Sequence, residues 1–501
     1  MQKASTKTNP AAGLFVPLIS IDRSLSIGIR DQLQSEISRL IAEGILSPGT
    51  KLPSCRRLAR DLGIAINSVL GAYARLCEDR LIISRPKSGF FVSEELSEFS
   101  QTPPERSPAP RNSSILERIT KRRLPSQSTY ILRPPDWSKY QYPFVCNQID
   151  INRFPLGAWR ECTRMAMNKR DLDIWSGDNH YWDAQEILDQ LCMRILPRRG
   201  IAAAPENILI TLGTQHALYL VGTLMQGQGR VVAMEDPGYA DARNMFEQLF
   251  DEVRFIPVDD DGMIVDDRLK GCDLVYVTPN HQYPTTAILS AERRSRLIRM
   301  AEDEDFLIIE DDYDSDLDFR SMITSPLYKD SRNGRVIYTS SLSKSLAPGL
   351  RIGYLVAQEE LVREARALRG LMIRHPPLVM QHTAALFLRF GHHEALCSRL
   401  HKAFRRRYEI AADILQRDFR DFTIKGRAGG TNFLLRDETR MRHSADIVSA
   451  ARERGVIVEA TSPCYFTTDW GDYAFRIGLS AVSTKQIAPG LAALRQAIDT
   501  V

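Results

Sequence analysis

Paired cysteines are missing from this chain. Its eight, at Cys55, Cys77, Cys146, Cys162, Cys192, Cys272, Cys397 and Cys464, are scattered, and no two of them make a CxxC. A chain of 501 residues needs no staples to hold a core, so they read as free thiols of a reducing compartment. Long apolar runs are lacking too. None approaches the roughly 18 residues that span a bilayer, and the opening MQKASTKTNPAAGLF has no signal-peptide core. A cytoplasmic protein without a membrane partner is expected. No internal repeat recurs. The nine histidines, His392-His393 included, show no metal-ligand spacing, so no metal is expected.

Net charge is also scarce, at +4 for the whole chain. Its distribution is uneven. Residues 1–93 hold 13 Lys and Arg against 7 Asp and Glu, and the remainder is slightly acidic. A basic excess confined to one end implies an anionic partner for that end. The length predicts two domains.

Residues 18–93 read as a small helical unit closed by a hairpin. RDQLQSEISRLIAEG (30–44) puts Leu33, Ile37, Leu40 and Ile41 on one helical face. SCRRLARDLG (54–63) opens on Ser54 as N-cap and closes on Gly63. NSVLGAYARLCEDR (67–80) follows almost at once, and the pair predicts a helix-turn-helix. LIISRPKSGFFV (81–92) predicts two short strands around a Pro-Lys-Ser-Gly turn, a wing. Residues 94–140, rich in Ser, Pro and Glu, predict a linker with a short helix over 115–124.

From 141 to 501 strands and helices alternate. Strands are predicted over 207–212, 230–235, 253–258, 274–279, 306–311 and 335–340, with helices such as 215–225 and 290–304 between them. Short apolar strands separated by helices imply an α/β fold with a mostly parallel sheet. Ligands of such sheets gather beyond the carboxyl ends of the strands. Gly213, Thr214 and Gln215 open a helix at one such end and form an anion cradle. Others carry Tyr239, His281 and the run Asp311-Asp312-Tyr313-Asp314. The last, SLSKSLAPGLRIG (341–353), presents Lys344 and Arg351 among hydroxyls.

An amine, an acid, a phenol, an aromatic face and a phosphate cradle together suit pyridoxal 5′-phosphate. A lysine forms a Schiff base with its aldehyde, a carboxylate keeps its ring nitrogen protonated, and Ser and Arg hold its phosphate. From the residues alone, Asp312 or Asp314 could replace Asp311 as the ring partner. Tyr239 could be stacking or packing, His281 a pocket residue or a structural one, and Arg476 a carboxylate anchor or a surface ion pair.

The motifs SxSKxxxPGxRxG, IIEDDYDxD, TPxHQxPT, EDPGY and FRIGLS resemble fold-type I aminotransferases. With a winged helix ahead of them, they resemble the MocR/GabR group of the GntR superfamily. The resemblance implies Lys344 as the Schiff-base lysine, Asp311 as the ring-nitrogen partner and Tyr313 as the ring-oxygen partner. It implies Tyr239 as the stacking ring, with Ser341, Ser343, Arg351 and the Gly213–Gln215 turn on the phosphate. Arg476 would bind a ligand carboxylate. In the head, Arg56, Asn67, Ser68 and the wing's Lys87 would meet DNA. The implied protein is a homodimer, each head resting on the other chain's body. It would bind promoter DNA and sense an amino acid or amine, with a small C-terminal α+β subdomain completing the fold. A working aminotransferase with an accessory head is the alternative. Ile66 stands where such heads often carry a basic residue, and Thr286 replaces the family's glycine after Pro284-Thr285.

Overall fold

The structure is a computed structural model and describes residues 18–23, 27–95, 130–178, 182–227, 230–320, 324–426 and 429–501. The chain divides into two compact units, Met1–Arg122 and Arg123–Val501. The predicted linker is described only at its two ends, and the helix predicted over 115–124 lies outside the described residues.

The first unit packs three helices, α1 (Ile29–Ala42), α2 (Cys55–Leu62) and α3 (Ile66–Glu78), against a hairpin of β1 (Ile82–Arg85) and β2 (Gly89–Val92). Helical spacing turns Leu33, Ile37 and Leu40 of α1 inward to meet Leu58 of α2 and Val69, Tyr73 and Leu76 of α3. Each such burial contributes roughly 1.5–3 kcal/mol, which a unit this small needs. The Tyr73 hydroxyl escapes the cost of burial by donating to Pro53 O at 3.0 Å. Ser54 Oγ accepts from Arg57 N at 3.4 Å, and Gly63 ends α2 at φ 64°, a left-handed conformation that suits glycine. β1 and β2 pair antiparallel from Ile82↔Val92 to Arg85↔Gly89. Helix-turn-helix and wing both stand where the sequence predicts them.

The second unit is built on an eight-stranded sheet. Across it run Ile208–Thr211, Gly353–Val356, Val336–Ser341, Leu307–Asp311, Leu274–Val277, Val231–Asp236, Glu252–Asp259 and the short Gly262–Met263. All six predicted strands form. Pairings from Val336–Ser341 through to Glu252–Asp259 are parallel. The strand Gly353–Val356, absent from the sequence expectation, inserts antiparallel between Val336–Ser341 and Ile208–Thr211. The strands Ile208–Thr211, Leu274–Val277 and Val336–Ser341 are buried along their whole length, which explains their apolar runs. The predicted C-terminal α+β part is an antiparallel sheet of Thr423–Lys425, Asn432–Arg436, Ala474–Gly478 and Glu459–Ala460. Helices Ser444–Glu453 and Thr484–Ile498 and the end of His392–Asp418 share its core.

Candidate functional site

Parallel pairing brings the carboxyl ends of Val231–Asp236, Leu274–Val277, Leu307–Asp311 and Val336–Ser341 to one edge of the sheet. Two successive antiparallel pairings return Ile208–Thr211 to the same direction. A cavity of about 270 Å³ opens at this edge. Gly213, Thr214, Gln215, Tyr239, Asp311, Tyr313, Ser341, Ser343, Lys344 and Arg351 all line it. The predicted residues gathered there stand up to 138 positions apart in the chain, from Gly213 to Arg351.

Lys344 is half-buried, with its Nζ 5.4 Å from the centre of the Tyr313 ring. Loss of water holds its pKa below the ordinary lysine value, while the carboxylates of Asp314 and Asp311 partly restore it. Part of the population is therefore a neutral, nucleophilic amine at lower pH than for a free lysine. Asp311 is buried beside it. The Tyr276 hydroxyl donates to Asp311 Oδ2 at 2.9 Å, and Oδ1 is buried without a partner. Burial pushes its carboxyl up to about 7, against the pull of Tyr276 and Lys344. Asp312 is differently placed: it pairs with Arg199 at 2.7 Å and accepts from Tyr338 Oη at 2.7 Å and Asn280 Nδ2 at 3.0 Å. Asp312 is held by these partners, whereas Asp311 keeps one oxygen without any.

At the opposite end, Gly213 adopts φ 87°, and a Cβ there would stand 2.8 Å from Arg351 Nη2. A Cβ on Gly353 would stand 2.5 Å from Gly213 Cα. Both glycines let two chain segments and one guanidinium converge. Arg351 Nη2 donates to Leu212 O at 2.7 Å. Ser341 Oγ accepts from Ser343 N at 3.0 Å, and Ser343 Oγ is buried without a partner. The residue after Lys344 is tethered: Ser345 Oγ donates to Asp316 Oδ2 at 2.7 Å and lies 2.9 Å from His393 Nε2.

Arg476 and His281 do not line the cavity. Arg476 is buried beneath Tyr283, 4.4 Å from that ring's centre, and its Nη2 donates to Glu459 Oε2 at 2.7 Å. Its Nε and Nη1 have no partner. His281 backs Tyr313 edge-on at 6.0 Å, and burial lowers its pKa to about 4, so it is neutral.

In the first unit, Arg56 is exposed in the first turn of α2, and Asn67 and Ser68 lie in the first turn of α3. Lys87 is exposed in the hairpin turn at φ 60°. Arg57 pairs with Asp61 at 3.5 Å and Arg85 with Glu94 at 2.9 Å. Ile66, where a cation was missing from the sequence pattern, is 45% exposed.

Comparison with known proteins matches residues 29–92 to bacterial regulatory proteins of the gntR family and residues 152–494 to aminotransferase class I and II. The HTH-type transcriptional regulator TauR of Rhodobacter capsulatus is 35% identical over 95% of this chain and 98% of its own. The chain belongs to the MocR-type regulators. The probable rhizopine catabolism regulatory protein MocR of Rhizobium meliloti is 27% identical over 96% of both chains. Among solved structures, an archaeal alanine:glyoxylate aminotransferase superposes with a TM-score of 0.66 at 25% identity, covering 71% of this chain and 90% of the enzyme. The body of this MocR-type regulator thus has the fold-type I aminotransferase fold.

Sequence reasoning missed several cavity residues of the MocR-type body. Tyr276 sits inside an apolar strand, LVYV, and reads as core until its hydroxyl is seen on Asp311. Tyr283 lies two residues after the predicted His281 and shields Arg476. Arg133, Asn147 and Gln148 come from a loop-rich stretch without a motif. Among the described residues no helix is long and apolar enough to cross a membrane.

Proposed function

We propose that this chain is a cytoplasmic, homodimeric transcription regulator that carries pyridoxal 5′-phosphate at Lys344, binds promoter DNA through its winged helix and senses a small amino compound. The supporting observation is the pairing, in one cavity, of an amine depressed by burial with Asp311, whose Oδ1 is buried without a partner. The residues fit the cofactor on that ground: Asp311 would meet a protonated ring nitrogen, and the unpartnered Ser343 hydroxyl with Arg351 would meet a phosphate. When bound, the cofactor supplies an aldehyde that captures amines and a ring that draws electrons.

The chain's own groups do the rest. Lys344 would offer a neutral amine to that aldehyde and, when released, would hold a proton. Tyr239 and Tyr313 wall the cavity with aromatic surface. Arg476, fixed by Glu459, keeps two unpartnered nitrogens for a carboxylate, and Tyr283 covers the way to it. An amino compound that binds one arrangement of these groups better than another shifts the population between states of different DNA affinity. In the head, Arg56, Asn67, Ser68 and Lys87 share the chemistry of phosphate and base contact.

The same depressed amine would also suit proton transfer, so an aminotransferase is the second reading. Borohydride reduction of cofactor-soaked protein, peptide mapping at Lys344, and gel shifts on the DNA upstream of the gene test the proposal together. An adduct at Lys344 and a shift that responds to an amino compound support it. A colourless protein without an adduct ends it, and sustained turnover of an amino donor without DNA binding favours the enzyme.

A further inference from the structure

Asp241 lines the same cavity, two residues after Tyr239, in the first turn of the helix Ala240–Leu249. It is half-buried, and its Oδ2 accepts the Tyr239 hydroxyl at 2.9 Å. The cations around it are committed elsewhere. Arg133, whose charge acts on it, donates to Cys146 O at 3.0 Å and stands 3.7 Å from Glu459 Oε1. Arg351 donates to Leu212 O, Arg476 is held by Glu459, and Lys344 faces Asp311 and Asp314. Among the described residues Asp241 has no ion pair, and burial raises its pKa against the pull of Tyr239 and Arg133.

A plainer role is available. A first-turn acid gains roughly 0.3–1 kcal/mol from the helix start and orients the tyrosine. That accounts for Oδ2 and leaves a carboxylate on the cavity wall that forms no ion pair among the described residues. An apolar ligand group placed against it would strip its water and return nothing, and an anionic one would be repelled. A cation there gains a charge-assisted hydrogen bond.

We infer that the effector carries a second cationic group that pairs with Asp241, so its class is the basic amino acids. This rests on the proposed function, with the reacting amine going to Lys344 and the carboxylate to Arg476. It adds the third point of recognition, the one that selects among amino acids.

The test is calorimetric and absorbance titration of the cofactor-loaded full chain with matched pairs: ornithine against norvaline, lysine against norleucine, and glutamate as the distal anion. We expect the basic member of at least one pair to bind about tenfold tighter or more, and Asp241→Asn to shrink that ratio to about threefold or less. Asp241→Arg should turn the preference toward glutamate. Equal affinities within both pairs, or a ratio that survives Asp241→Asn, would overturn the inference and leave Asp241 as the support of Tyr239. The wild-type series decides the matter even if a variant fails to fold. A response to other amines but to no basic one also defeats it. Silence toward every amine, with no adduct at Lys344, defeats the proposed function itself.

Discussion

Arg56 in the head stands in solvent, whereas Lys344 in the body is half-buried among carboxylates. The two units handle charge by different physics. An exposed arginine acts on an anion through screened attraction, modest per contact and sensitive to salt. A lysine withdrawn from water has its proton affinity set by neighbours, and small changes around it matter greatly. The first arrangement tolerates substitution and builds affinity by adding contacts. The second depends on each partner, which is why Asp311, Tyr276 and Lys344 form a set.

The largest break expected in that contrast is Lys344→Ala: the borohydride-stable adduct should vanish entirely, as read by mass spectrometry. Asp311→Asn comes next. Removing the charge opposite a buried cation costs about 3 kcal/mol, so cofactor affinity by equilibrium dialysis should fall about a hundredfold. Leu33→Ala, in the core of the head, should lower that unit's stability by about 3 kcal/mol. In calorimetry it should shift one transition and spare the cofactor's absorbance. Arg56→Ala should weaken promoter binding about tenfold and reduce the salt slope by about one unit. The mildest effect is that of pH. Because burial lowers the Lys344 pKa, its neutral fraction rises with pH and saturates sooner than for a lysine at 10.5. Cofactor uptake by the apoprotein should therefore rise with pH and level off below that value, and an uptake still climbing there would remove the premise of a desolvated amine.

Much of this was readable from residue order. Ser54 and Gly63 bound α2 because an N-cap hydroxyl and a left-handed glycine are local requirements. Strand by strand, the apolar runs of the body are found in its sheet. The strand Gly353–Val356 was not readable, because its reversal is fixed only by pairing with two distant partners. Tyr276 was invisible for a similar reason: its apolar neighbours describe a core position, and only Asp311 gives its hydroxyl a task.

Residue order by itself determined the kinds of chemistry available, since a lysine, acids, a phenol, an arginine and a glycine turn stand at strand ends whatever their final distances. Tertiary structure decided which of these groups are left without partners. Asp312 is claimed by Arg199 and Tyr338, so Asp311 keeps a bare oxygen. Arg476 is claimed by Glu459 across a strand pairing, whereas Asp241 forms no ion pair among the described residues. Which buried group finds a partner depends on register and crossing chains, and a linear pattern does not contain those distances.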